Sequence, residues 1–165
     1  MAHRIGTGYI REVLRSVISP QTDPHLHRYS FDDPMNGVDR SPLAMLKLQA
    51  ARLRPAIEAC IARSRREGTS IVIEGTHLVP GMVSMEGVSV FVVLTAPDRQ
   101  ALAFRATGST HSRRLLTPAQ IERIVELQRQ LVDLAHREGV PVVNNDRLEA
   151  AVEEVLRYVK AAAAR

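Results

Sequence analysis

The chain has no tryptophan, three tyrosines, three phenylalanines, one cysteine and very little lysine, with only Lys47 and Lys160 present. Aliphatic side chains must therefore fill any core. The single cysteine, Cys60, excludes an internal disulfide and gives no sign of a metal cluster. No apolar run is long enough to span a membrane, and none follows Met1–Arg4 as a secretory signal would require. Full disorder is excluded as well, since 45% of the residues are hydrophobic and 24% charged. The expectation is a cytoplasmic protein of 165 residues, enough for one compact domain with a real core.

Arginine supplies nearly all of the positive charge, and the formal net charge is +4. Its planar fork of donors suits carboxylates and phosphates, although high-GC coding gives the same bias. Within Arg105–Arg114 no aromatic residues interleave with the basic ones to stack on bases, so a small anionic substrate is expected rather than nucleic acid, and no membrane partner.

The hydrophobic pattern alternates helices with short strands. Ile5–Gly8 reads as the tail of a strand. Thr7 can cap a helix over Tyr9–Ile18, with Ile10, Val13, Leu14 and Val17 on one face. Ser19–Ser41 is a long irregular segment, and its His25 and His27 read as a surface pair rather than metal ligands. Ser41 and Pro42 open a strong helix to Arg66, in which Cys60 lies on the apolar face and Pro55 is a possible break. Gly68 closes it. Ile71–Ile73 and Val88–Leu94 read as buried strands, separated by a loop to Glu86. Pro97 starts a helix to about Phe104. Thr117 and Gln120 form a capping box for a helix to about Glu138, which Gly139 ends. Val140–Val143 is a further strand. A last helix over Leu148–Ala163 has Asp146 and Glu149 as its cap and box. This order favours a parallel sheet covered by helices, an α/β fold.

In such a sheet, ligands sit outside the carboxyl ends of the strands. Glu74, Gly75, Thr76 and His77 follow the Ile71 strand directly, so they are either site residues or a polar turn. Arg105, Arg113 and Arg114 lie in a polar segment between two helices. They could close over an anion or form a solvated basic loop. Asn144 and Asn145 follow the Val140 strand.

Three segments carry a resemblance: I-R-E-V-L-R at Ile10–Arg15, I-V-I-E-G-T-H-L-V-P-G at Ile71–Gly81, and the stretch from Glu138 to Tyr158 containing G-V-P-V-V-N-N-D. With the arginine-rich segment they make the chain resemble the 2-phosphoglycerate kinase family of P-loop small-molecule kinases. The resemblance implies a nucleoside-monophosphate-kinase-like three-layer fold in one domain, 1–165, with a lid over 105–117. It implies ATP and Mg2+ as cofactors and phosphoryl transfer to a small anionic hydroxy acid. It places Arg11, Thr76 and His77 at the acceptor, and Glu74 near magnesium or the acceptor. Arg105, Arg113 and Arg114 would neutralise phosphate oxygens as catalytic groups. Asn144 and Asn145 would lie on the nucleotide side. Two departures stand out. No G-x-x-x-x-G-K-[ST] loop is present to cradle ATP phosphates, and Gly8 stands where related kinases often carry an acidic substrate contact. The expectation is an N-terminally incomplete chain, impaired in transfer, with two alternatives: a non-catalytic nucleotide- or anion-binding protein, or a chain whose sheet a partner completes, including a homo-oligomer.

Overall fold

The computed structural model describes residues 3–34, 39–108 and 115–164. In chain order the elements are β1 (His3–Gly6), α1 (Thr7–Val17), a 3-10 helix (Pro24–His27), α2 (Pro42–Arg66), β2 (Ile71–Glu74), β3 (Val93–Thr95), α3 (Arg99–Thr107), α4 (Pro118–Arg137), β4 (Val142–Asn144) and α5 (Leu148–Ala163). The chain divides into two compact units, Met1–Val88 and Ser89–Arg165. Each contains one pair of parallel strands, β1 with β2 and β3 with β4. Parallel strands cannot be joined by a tight turn, so each pair is linked through helices. The result is an α/β fold of parallel strands with flanking helices, consistent with a P-loop-kinase-like arrangement.

The two long helices start and stop by the same local chemistry. At α2, Ser41 Oγ accepts from the Ala44 amide at 3.2 Å and Pro42 takes the first helical position. At α4, Thr117 and Gln120 bond reciprocally in a capping box, again with proline following the cap. Each helix ends on a glycine at positive φ, Gly68 at 62° and Gly139 at 65°. The Thr69 amide bonds back to Ser64 O and the Gly68 amide to Arg65 O; Val140 and Gly139 repeat the pattern onto Ala135 and His136. These paired bonds satisfy the last carbonyls and turn the chain into β2 and β4.

Several expected boundaries move. Thr7 is the first helical residue of α1, and Gly6 is the cap, without a side-chain bond. Val13 and Val17 do not share the inner face of α1. Ile10, Leu14 and Ile18 pack onto the Leu26, Leu53 and Ile57 core, whereas Tyr9, Val13 and Val17 are 81%, 66% and 76% exposed. Pro55 does not divide α2. It is exposed, and the carbonyl it frees belongs to exposed Ala51. Cys60, on the apolar face, is half-buried. The expected strand from Val88 is regular only from Val93, because its partner strand begins after Pro141, which has no amide to extend the ladder. Asp146 lies one residue ahead of the α5 cap, Arg147, so its box with Glu149 does not form. His25 and His27 are half-buried rather than on the surface.

In the second unit, Leu127, Leu134, Ala135, Val143 and Ala151 are buried. Gln128 of α4 reaches the backbone just past β3. The Ala96 amide donates to Gln128 Oε1 at 2.8 Å, and Gln128 Nε2 donates to Ala96 O at 3.2 Å. The side chain thus continues the pairing that the strand itself has stopped.

Two glycines near the β1 edge separate cleanly. Gly75 has φ +133°, and a Cβ there would lie 2.0 Å from Thr7 Oγ1, whereas a Cβ on Gly8 in the first turn of α1 would meet nothing within 4 Å. Gly75→Ala is expected to destabilise by about 2 kcal/mol or more, and Gly8→Ala to stabilise by about 0.5–1 kcal/mol. Urea-unfolding midpoints of the two variants check the contrast.

Candidate functional site

β1 and β2 run in parallel register from His3 opposite Ile71 to Gly6 opposite Glu74, so both chains leave the pair at one edge. The residues that follow, Thr7 on one side and Gly75–His77 on the other, are brought together there. Strand alternation directs Ile73 into the core and Glu74 away from it. Glu74 is exposed and accepts from Arg4 Nε at 2.9 Å and Nη2 at 2.5 Å. Arg4, Ile5, Gly6, Tyr9 and Glu74 line an open concavity of about 480 Å³. Thr76 is also exposed.

His77 occupies the opposite environment. It is 4% exposed, with Nδ1 3.0 Å from Thr7 Oγ1 and Nε2 3.1 Å from Gln49 Oε1. Gln49 lies on the buried face of α2, and its Nε2 donates to His25 O at 2.7 Å and Arg28 O at 3.0 Å. Ser30 Oγ donates to Gln49 Oε1 at 2.8 Å. Arg11, from α1, donates through Nε to Leu26 O at 3.0 Å and through Nη2 to Arg28 O at 2.7 Å. The guanidinium and the amide therefore grip the carbonyls of one turn from two helices. Burial, reinforced by the nearby Arg11 charge, pushes the His77 pKa down to about 4, so the imidazole is neutral at pH 7.

In the second unit, Asn145 follows β4, and its amide donates to Thr95 O at 2.9 Å. Arg105, near the end of α3, donates from Nη2 to Asn145 O at 2.5 Å. Asn144 is exposed and ends β4. The structure thus joins Arg105 to the strand edge that carries both asparagines. Arg113 and Arg114 lie outside the described residues.

Over 94% of its length the chain is 36% identical to a 2-phosphoglycerate kinase of Pyrococcus horikoshii, covering 54% of that protein. It is 33% identical to the 2-phosphoglycerate kinase of Thermococcus kodakarensis, over 92% of the chain and 55% of the relative. A protein of the same name from Methanocaldococcus jannaschii is 33% identical over 94% of the chain and 53% of its own length. Over the part that it spans, the chain is similar to these 2-phosphoglycerate kinases. The chain spans about half the length of the curated relatives it matches. No family model matches it, and no solved structure matches it significantly.

The described residues do not by themselves make a metal centre. No group of three or more His, Cys, Asp or Glu side chains among them is placed to hold an ion. Glu74 is a single carboxylate already paired with Arg4. Magnesium is usually held by one or two carboxylates together with substrate phosphates, and the sequence has no glycine-rich loop to present such phosphates. What the arrangement can do unaided is hold a neutral imidazole rigidly and present Glu74, Arg4 and Thr76 at an open strand edge. No helix among the described residues is long and apolar enough to cross a membrane.

Sequence reasoning did not single out Thr7 as a partner of His77, nor Gln49, Ser30 or Gln128. A signal was present for the two glutamines. Gln49 falls among Leu46, Ala50 and Leu53, and Gln128 among Ile124, Leu127 and Leu131, each an amide inside an apolar helical stripe. A buried amide at such a position has to find partners.

The low His77 pKa has a definite sign in stability. The unfolded chain binds a proton near the ordinary histidine value of 6.5 and the folded chain only near 4. The His77 contribution is therefore complete above about pH 6.5 and is lost progressively as pH falls towards 4, to about 3 kcal/mol. Denaturant unfolding across this window is expected to show that slope in the parent chain, and a shallower one in His77→Gln. Equal slopes would contradict the assignment.

Proposed function

We propose that the chain supplies the acceptor-side edge and the lid of an ATP-dependent phosphotransferase acting on a small anionic hydroxy acid, with 2-phosphoglycerate as the acceptor. The observation that carries this reading is the likeness, over nearly the whole chain, to proteins named 2-phosphoglycerate kinase. In this reading residues 1–165 form one cytoplasmic kinase-like domain, with the lid over 105–117. Arg11, Thr76 and His77 belong to the acceptor side and Asn144 and Asn145 to the nucleotide side, with Glu74 near magnesium or the acceptor. Arg105, Arg113 and Arg114 neutralise phosphate oxygens as the lid closes.

Phosphoryl transfer asks of a protein mainly positioning and charge stabilisation. ATP with magnesium supplies the transferred group. The chain's own part is to orient the acceptor, exclude water and offset negative charge. The position of Arg105 supports that part, since its guanidinium already reaches the edge beyond β4. The rigid His77 network supports an acceptor edge that keeps its shape.

A second reading is a non-catalytic nucleotide- or anion-binding protein. The missing G-x-x-x-x-G-K-[ST] loop favours it. Under both readings this chain alone transfers phosphate poorly.

A chimera separates them. The chain alone, with ATP, magnesium and 2-phosphoglycerate, is expected to give negligible turnover beside the Pyrococcus horikoshii relative. Joined to the part of that relative which it does not span, it is expected to phosphorylate 2-phosphoglycerate, with Arg105→Ala lowering kcat/KM at least tenfold. A folded chimera that binds ATP yet transfers nothing would favour the second reading. Ordinary kinase turnover by the chain alone would contradict both.

A further inference from the structure

Gln49 is fully buried, at 0% exposure, yet it bears four hydrogen-bonding capacities. All four are used. Its two N–H groups go to His25 O and Arg28 O, and its oxygen faces Ser30 Oγ and His77 Nε2. The orientation of the amide follows from this chemistry. Turned over, it would set its oxygen against two carbonyl oxygens that cannot donate. Ser30 Oγ also lies 3.4 Å from His77 Nε2, but its one hydrogen goes to the Gln49 oxygen, so with that oxygen towards the imidazole His77 carries its proton on Nε2. Nδ1 is then an acceptor, and Thr7 must donate to it.

We propose that Gln49 is a positioning residue: it locks the 25–30 turn to the strand edge by anchoring two turn carbonyls and selecting the Nε2–H form of His77. The bonds run in one direction, from the Thr7 hydroxyl to His77, from His77 to Gln49, and from Gln49 to the turn. Arg11 grips the same turn from the other side through Leu26 O and Arg28 O. The turn is a short 3-10 helix, whose carbonyls have few internal partners and need outside donors. Gln49 and Arg11 supply those donors from two different helices. Thr7 opens α1 at the edge where Gly75 passes in contact with it. The consequence is that α1, α2, the turn and the β2 edge share one hydrogen-bonded unit with a fixed proton arrangement. This inference stands apart from the phosphotransfer reading, because its readouts need neither nucleotide nor acceptor.

The test is made on the whole chain by NMR at neutral pH. A long-range proton–nitrogen spectrum of the parent is expected to show the His77 proton on Nε2. Gln49→Glu keeps an acceptor for His77 but loses both donors to the turn. It should retain the Nε2–H signature while amide exchange in residues 25–30 rises at least tenfold. Gln49→Met removes both roles and should lose the signature as well as the protection. The parent spectrum decides on its own if a variant does not fold. A proton on Nδ1 in the parent would overturn the proposal, and so would turn exchange in Gln49→Glu equal to that of the parent.

Discussion

The bond between Thr7 and His77 is the constraint on which the first unit depends. It joins the residue after β1 to a residue three places beyond β2, on opposite sides of a two-stranded parallel pair. A pair of four-residue strands is weak by itself. Behind the bond stands Gln49, and behind Gln49 the turn that Arg11 also holds. Burial makes these bonds consequential, because each unpaired group would face the full cost of desolvation. The same burial keeps the imidazole neutral, which is the state that fits a donor on one nitrogen and an acceptor on the other.

Local rules explain how the chain reaches this arrangement. α2 and α4 are stopped by left-handed glycines whose paired bonds release the chain into a strand. Gly75 has a different task. It removes the Cβ that would otherwise collide with Thr7, so a backbone choice permits a side-chain bond. In the second unit Gln128 performs a related service for β3, closing the backbone groups of Ala96. In both units a glutamine from a long helix satisfies open backbone groups, those of the 25–30 turn in the first and those just past β3 in the second.

Much of this was legible in the sequence, because much of it is local. The Ser41–Pro42 start, the Thr117–Gln120 box and both terminal glycines are read from residues close in the chain, and the parallel α/β order follows from their alternation. What escaped depends on distant partners. Pro141 shortens the ladder with β3 from the other strand, and the division of α1 into inner and outer apolar stripes depends on where α2 and β2 lie. For the site, the sequence grouped Glu74, Thr76 and His77 as one polar cluster. The structure gives them different surroundings, Glu74 and Thr76 exposed and His77 enclosed. A histidine past a strand looks the same in sequence whether it faces a ligand or a buried amide. The family likeness adds the chemical setting, and the physical reading adds which of these side chains are already committed to one another.

The central claim is that Thr7 and His77 act as a coupled pair rather than as two separately tolerated polar residues. A double-mutant cycle with Thr7→Val and His77→Phe measures this directly from unfolding free energies. The account predicts that the double variant departs from additivity by about 1–2 kcal/mol. Additivity to within about 0.3 kcal/mol would contradict it.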